Sequence, residues 1–408
     1  MFENNMYTSV FKEKEKSLLS TTLIFFLINP FFSIISLLSN ISHVNTSRGR
    51  NICYFFLALF MGLIAYTQET KVGDISRVYS GVIFSSKDFD NNLSLLLLSK
   101  HIVFDGVNYI LFKLTSEVKI VSLFWITVTY LILFKAQDRL FNLINIKRYN
   151  NVGRFITIIL LCFVLFTQVT EIMKQGVATA ITFYSLVLFY SGEKIKCVFL
   201  YIIGLAIHLS PLFFLPLFLI NIIPNRVLFV AAFCSFLFRE FDLLSFISGI
   251  FGGISDVQSL FLLGELSDTV TQYTVAMESF YKSDTLLFNL IFYHFFLITM
   301  VTYLNSRESR LVKICMLFIV ILNLNYFNDH NYTRLLCLMF PFYILLFVEI
   351  TNVTNKWKSY ILNFLIIGTF LINVRFLFAR LVDSSYETSF LGGSIINLLI
   401  YPSFMYLL

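Results

Sequence analysis

Long apolar runs, separated by short polar stretches that carry most of the charge, repeat along nearly the whole chain. Such runs lie at about 18–39, 52–67, 118–135, 155–171 and 176–191, and again at about 227–239, 286–304, 314–327, 335–350, 359–376 and 391–408. Most approach the length that a helix needs to cross a hydrocarbon core of roughly 30 Å. A barrel strand would alternate apolar and polar residues with period two, and these runs are continuously apolar. The pattern predicts an all-α fold: a polytopic integral membrane helical bundle, with residues 1–408 as one membrane-embedded domain. The first run is too long for a signal-peptide core and no small-residue cleavage site follows it, so it is expected to remain as a span.

Two polar regions, 68–117 and 240–285, are long enough to form sizeable outer loops. Inside the first, LSLLLL and VNYILFKL are too short to span and predict interfacial or re-entrant helices. The run at 197–223 is ambiguous, because it could cross once or turn back near His208-Leu209-Ser210-Pro211. Loop charges decide between these. An out-and-back hairpin puts Arg48/Arg50, the cluster from Lys135 to Arg154, Lys194/Lys196, Arg226, Arg307/Arg310/Lys313 and Lys356/Lys358 all on the cytoplasmic side. Pro211 then opens the second short helix, where its missing N–H costs little. This gives about twelve crossings. The N-terminus falls outside, as do loops 68–117, 172–176, 208–211, 240–285, 328–334 and 377–390.

Composition agrees: 58% of residues are hydrophobic and 13% charged, where soluble domains carry about a quarter charged. The net charge of +6 sits in short loops between spans and does not point to nucleic acid. The six cysteines are scattered through apolar runs without CxxC pairs, so no disulfide framework or zinc site is expected. No internal repeat of fixed period is visible, which weakens an inverted-repeat transporter.

Several polar residues fall on the outer face of this topology. Lys174-Gln175-Gly176 precedes a helix whose positive end, beside an ammonium, suits a phosphate or diphosphate; a lysine that snorkels to the interface has the same appearance. His208, at the outer end of the next helix, can accept a proton or bond a phosphate, or can simply interact with a helix C-terminus. Ser210 is its helper or an N-cap. In GDISRVY, Asp74 and Arg77 place a carboxylate and a guanidinium at the mouth of the bundle, followed by Tyr79. They suit activation of a sugar hydroxyl and bidentate phosphate binding, or an N-cap with a solvated partner. Arg334 enters an apolar helix from the outside, next to Asp329, His330 and Tyr332. Asp88-Phe89-Asp90 has the form of a metal-holding DxD pair, but its Asn-, Ser- and Lys-rich loop argues against a metal.

VGDISRVYSGV resembles the VG-x-D-x-x-x-Y motif of EpsG-type proteins and the related O-antigen polymerases (Wzy). FDGVNYILFKLTS is similar to their following Glu-Pro-Gly segment, EIMKQGVATAITFYSLVLFY to their RQG-x-A-x-A-I helix, and IHLSPLFFLPL to their FH-x-S-A-L-x-x-LPL run. NYTRLLCLMFPFYILL resembles their late arginine-bearing helix. The pieces occur in the family's order over most of residues 50–350. Lys174 stands where the family has arginine, which keeps the charge but loses the fork. Asp105-Gly106 stands where Glu-Pro-Gly is usual.

The resemblance implies an inner-membrane glycosyltransferase of GT-C-like architecture, working at the periplasmic face. It would join oligosaccharide repeat units of O-antigen or capsule type, carried on undecaprenyl diphosphate. A flippase and a chain-length regulator are the further partners, and no nucleotide, metal or other cofactor is expected. In this reading Lys174, Gln175, Gly176, Arg77 and Arg334 bind diphosphate. Asp74 or His208 takes the acceptor proton, and Tyr79, Ser210 and Tyr332 bind substrate. A flippase for the same lipid-linked unit, and an O-antigen ligase or acyltransferase, are the alternatives.

Overall fold

The structure, a computed structural model of the chain, describes residues 20–40, 46–69, 74–143, 172–239, 285–307, 309–326 and 339–350, with isolated positions between and beyond them. The expected spans at about 155–171, 359–376 and 391–408 lie almost wholly outside the described residues. The chain divides into two compact units, Met1–Leu212 with Leu377–Leu408, and Phe213–Phe376.

The first unit is helical. It comprises α1 (Pro30–Asn40), α2 (Ser47–Thr67), α3 (Asp74–Asn91), α4 (Ile102–Thr115), α5 (Ile120–Leu143), α6 (Met173–Tyr190) and α7 (Lys194–Ile207). A two-residue antiparallel bridge pairs β1 (Gln68–Glu69) with β2 (Ser389–Phe390). Thr46 caps α2 by accepting from the Gly49 amide, as short hydroxyl residues do at helix starts. Among the described helices, α2 and α5 are long and apolar enough to cross a membrane.

These two helices pack closely because Gly62 has no side chain: a Cβ there would lie 2.1 Å from Thr127 Oγ1 and 2.7 Å from the Leu123 carbonyl. Tyr54 and Phe134 stack at 5.4 Å between them. Arg50 donates from Nε to Asp138 at 3.0 Å, with both side chains largely buried. A paired charge tolerates that burial where a single one would not.

Residues 68–117 form α3, a one-turn helix at Ser94–Leu97, and α4, in keeping with the short helices expected there. Leu93, Leu95, Leu97 and Leu98 are exposed around that turn, as an interfacial segment requires. Tyr79 ties α3 to α5 through a 2.8 Å hydrogen bond with Ser122 Oγ.

The helices α6 and α7 pack as a hairpin around Gly192, whose φ of 81° demands glycine. A Cβ added at Gly204 would lie 3.4 Å from Thr182 Oγ1 on α6, so the two helices approach closely there. The run at 197–223 is interrupted at His208: α7 stops at Ile207, and a 3-10 helix follows over Ser210–Leu219.

The second unit holds most of that 3-10 helix, then α8 (Asn225–Cys234), a 3-10 turn at Ser235–Arg239, α9 (Thr285–Asn305), α10 (Arg310–Leu324) and α11 (Phe340–Ile350). Its core is aromatic. Phe318 and Phe342 stack at 4.2 Å, with Phe214 and Phe295 about 6 Å from Phe318.

Candidate functional site

A polar cluster forms where the start of α6, the start of α4 and the end of α7 meet in the first unit. The hairpin dictates part of this, because two antiparallel helices joined by a tight turn bring the first residues of one beside the last of the other. Lys174 lies in the first turn of α6, which begins at Met173. Its Nζ is 3.8 Å from Asp105 Oδ1 and 5.2 Å from the centre of the Phe104 ring. The ammonium therefore rests between a carboxylate and an aromatic face.

Asp105 is held from its other oxygen. Ser99 donates its hydroxyl to Asp105 Oδ2 at 2.5 Å, and the same Ser99 Oγ accepts from the His101 amide at 3.1 Å. Phe104 in turn stacks on Trp125 at 5.0 Å, and Trp125 Nε1 donates to Asn108 Oδ1 at 2.7 Å. The carboxylate and the ring beside Lys174 are thus both fixed in place.

Two imidazoles complete the cluster. His101 and His208 stack with ring centres 5.2 Å apart and planes 5° from parallel. Burial, reinforced by the nearby Lys174 charge, pushes the His101 pKa down to about 4, with Asp105 opposing. His101 is therefore neutral at physiological pH. His208 follows α7 in extended backbone, and its Nδ1 accepts the Ser210 amide at 3.0 Å. That bond places the proton of the neutral ring on Nε2, so the other edge of the ring is a donor.

Some buried polar atoms of these elements have no partner. Among the described residues these include His101 Nδ1, Asn108 Nδ2, Gln175 Oε1, Thr179 Oγ1 and Ser210 Oγ. A folded protein pairs nearly all its buried polar groups, so each exception is open to a partner from outside the chain.

The residues expected from the sequence fall into several groups. Lys174, Gln175, His208 and Ser210 belong to the cluster. Gly176 also closes the start of α6. Its amide closes the first turn onto the Ile172 carbonyl at 2.7 Å, and a Cβ there would meet Val169 Cγ1 at 3.1 Å. The amides left outside the helical ladder are those just before it. Asp74 is the first residue of α3, and Arg77 is exposed one turn later. The Tyr79 hydroxyl is taken up by Ser122, and burial raises its pKa to about 12. Tyr332 is buried in the second unit, where its hydroxyl accepts from Arg239 Nη2 at 2.9 Å. Arg334, Asp329 and His330 lie outside the described residues. Asp90, of the DxD pair, bonds Lys113 at 2.5 Å and Tyr109 at 2.9 Å. Those contacts hold its carboxyl below the usual range. Among the described residues, no three His, Cys, Asp or Glu side chains are grouped to hold a metal.

The EpsG family model matches residues 51–391. The chain is a member of the EpsG family. Searches of curated proteins and of solved structures found no match. The family and the apolar helices make this a membrane protein of polysaccharide biosynthesis. The Lys174 cluster falls inside the matched region of this EpsG protein.

His101, Ser99 and Asp105 were not among the residues expected at the site. A signal for them exists, because His101, Phe104, Asp105 and Asn108 recur at i, i+3, i+4 and i+7. That spacing puts them on one helical face.

Proposed function

We propose that this EpsG protein is a polysaccharide polymerase that joins undecaprenyl-diphosphate-linked oligosaccharide repeat units at the periplasmic face. The observation that carries the reading is the half-buried Lys174 ammonium, fixed by Asp105 and Phe104 on elements that carry unpaired buried polar atoms. A lipid diphosphate is already a good leaving group. What the protein must chiefly do is stabilise the charge that develops on it as the glycosidic bond breaks.

In this mechanism the growing chain on its carrier is the donor. The non-reducing-end hydroxyl of the incoming unit attacks the anomeric carbon. The bond to the diphosphate breaks, and the released diphosphate is held by Lys174 and by donors at the start of α6. His208 adds a hydrogen bond from Nε2 to a phosphate oxygen. With that nitrogen protonated, Asp74 is the group that takes the acceptor proton. The unpaired His101 Nδ1 accepts a hydrogen bond from a sugar hydroxyl. The exposed Arg77 adds a further cation in the first unit; Arg334 and Tyr332 keep the diphosphate- and substrate-binding roles that the family resemblance implies.

The test is complementation of a polymerase-null strain. Lys174→Ala is expected to insert normally but yield only single repeat units, accumulated on the outer leaflet. Lys174→Arg should restore long polymer. Normal chain length from Lys174→Ala rejects the assignment, and accumulation on the inner leaflet would identify a flippase instead.

A further inference from the structure

The second unit buries a guanidinium in a ring of aromatic side chains. Arg239 ends the 3-10 turn after α8 and is only 8% exposed. Its Nε donates to Asn323 Oδ1 at 2.9 Å, Nη1 to the Tyr293 hydroxyl at 3.2 Å, and Nη2 to the Tyr332 hydroxyl at 2.9 Å. Asn323 is committed in turn, giving its Nδ2 hydrogen to Ser235 Oγ at 2.7 Å. Around the guanidinium carbon stand Phe292 at 4.1 Å and Tyr326 at 4.4 Å, with Phe236, Tyr293 and Tyr332 between 5.2 and 5.7 Å.

Two features of this box point to a ligand. The first is charge: among the described residues no carboxylate pairs with Arg239. A buried cation is costly unless it is paired, and aromatic faces compensate only part of that cost. The second is the count of donors. A guanidinium has five N–H groups, and the described residues accept three of them. Tyr293 and Tyr332 each accept from Arg239, so their own hydroxyl protons point elsewhere. The described residues thus leave two N–H and two O–H donors around one positive charge, with no acceptor facing them. The two remaining N–H groups, one on Nη1 and one on Nη2, are donors of the kind with which arginine meets an oxyanion.

We propose that Arg239, with Tyr332 and Tyr293, forms an oxyanion-binding site in the second unit. Loop charges put this end of the span at the outer face, beside the loop at 240–285. The shared ligand chemistry is a phosphate or carboxylate oxygen pair. A lipid-linked diphosphate and the carboxylate of an acidic sugar both supply it. The site does not depend on the role given to Lys174.

The experiment uses the full-length protein in neutral-lipid nanodiscs and carries Lys174→Ala throughout, so that failure of the first site does not affect the result. Inorganic diphosphate and glucuronate are titrated separately by calorimetry. Saturable binding is expected, at least tenfold weaker with Arg239→Gln and several-fold weaker with Arg239→Lys, which keeps the charge but not the fork. Should Arg239→Gln fail to fold, Tyr332→Phe and Tyr293→Phe must each weaken binding at unchanged Tm. Preference for diphosphate assigns the carrier, and preference for glucuronate assigns an acidic sugar. No saturable binding of either anion, or binding that ignores all of these substitutions, overturns the proposal.

Discussion

Removing Lys174 distinguishes a cation that serves substrate from one that serves the fold. At 3.8 Å from Asp105, the gross Coulomb attraction is about 4 kcal/mol at an effective dielectric of roughly 20. Lys174 and Asp105 keep 33% and 23% of their side-chain surface exposed, so desolvation and screening leave a net of about 1 kcal/mol or less. Asp105 also keeps its Ser99 hydrogen bond when Lys174 is gone. Lys174→Ala should therefore lower Tm by only a few degrees. Loss of one group that meets developing charge costs about 10²–10³ in rate, or roughly 3–4 kcal/mol. The catalytic loss should exceed the folding loss several-fold in free energy. The assay is polymerisation of a lipid-diphosphate oligosaccharide by purified protein in nanodiscs, with Tm measured on the same samples. Lys174→Ala, Asp105→Asn and the double variant form a cycle. Asp105→Asn should lose less than Lys174→Ala, and the double variant should be no worse than Lys174→Ala. A Lys174→Ala rate above a tenth of the parent's, or rate losses that follow Tm across the set, would refute the reasoning.

Other expectations concern the scaffold. Gly62→Ala drives a methyl into Thr127 and the Leu123 carbonyl and should cost about 1–3 kcal/mol or more. Gly81→Ala in α3 has nothing within 4 Å and should stabilise by about 0.5–1 kcal/mol; thermal melts of both check the contrast. Asp138→Asn removes the carboxylate charge that meets the largely buried Arg50 and should cost about 3 kcal/mol, read as lost yield of folded protein. Between its ordinary pKa of 6.5 and its folded value of about 4, His101 is protonated only in the unfolded chain. Stability should therefore fall as pH drops through that window, and the fall should be shallower in His101→Gln. An unchanged slope would show that His101 is not buried as described.

Part of the site is readable from residue spacing. Lys174, His208 and Ser210 stand out because a charged residue at a helix start and a His-x-Ser-Pro break interrupt long apolar runs. Asp105 and His101 sit in a region crowded with other polar residues, and their helical spacing puts them on one face without saying which charge Asp105 meets. That choice is tertiary: Asp90 meets Lys113 and Tyr109, whereas Asp105 meets Lys174. Gly176 carries two readings. Its place beside Lys174 suggests an anion cradle, while the structure gives it the close approach to Val169. Arg239 carries no local signal, since an arginine closing an apolar run has the same pattern whether it snorkels to water or is buried.

The sequence by itself determined that this is a helical membrane protein, that the run at 197–223 breaks at His208, and that the chain has the motifs of its family in order. These follow from hydropathy, loop charge and proline chemistry, all of which act over a few residues. The tertiary structure alone decided which polar groups meet. It paired Lys174 with Asp105, stacked His101 on His208 and enclosed Arg239 in tyrosines, because partners drawn from different helices depend on packing that no local pattern encodes.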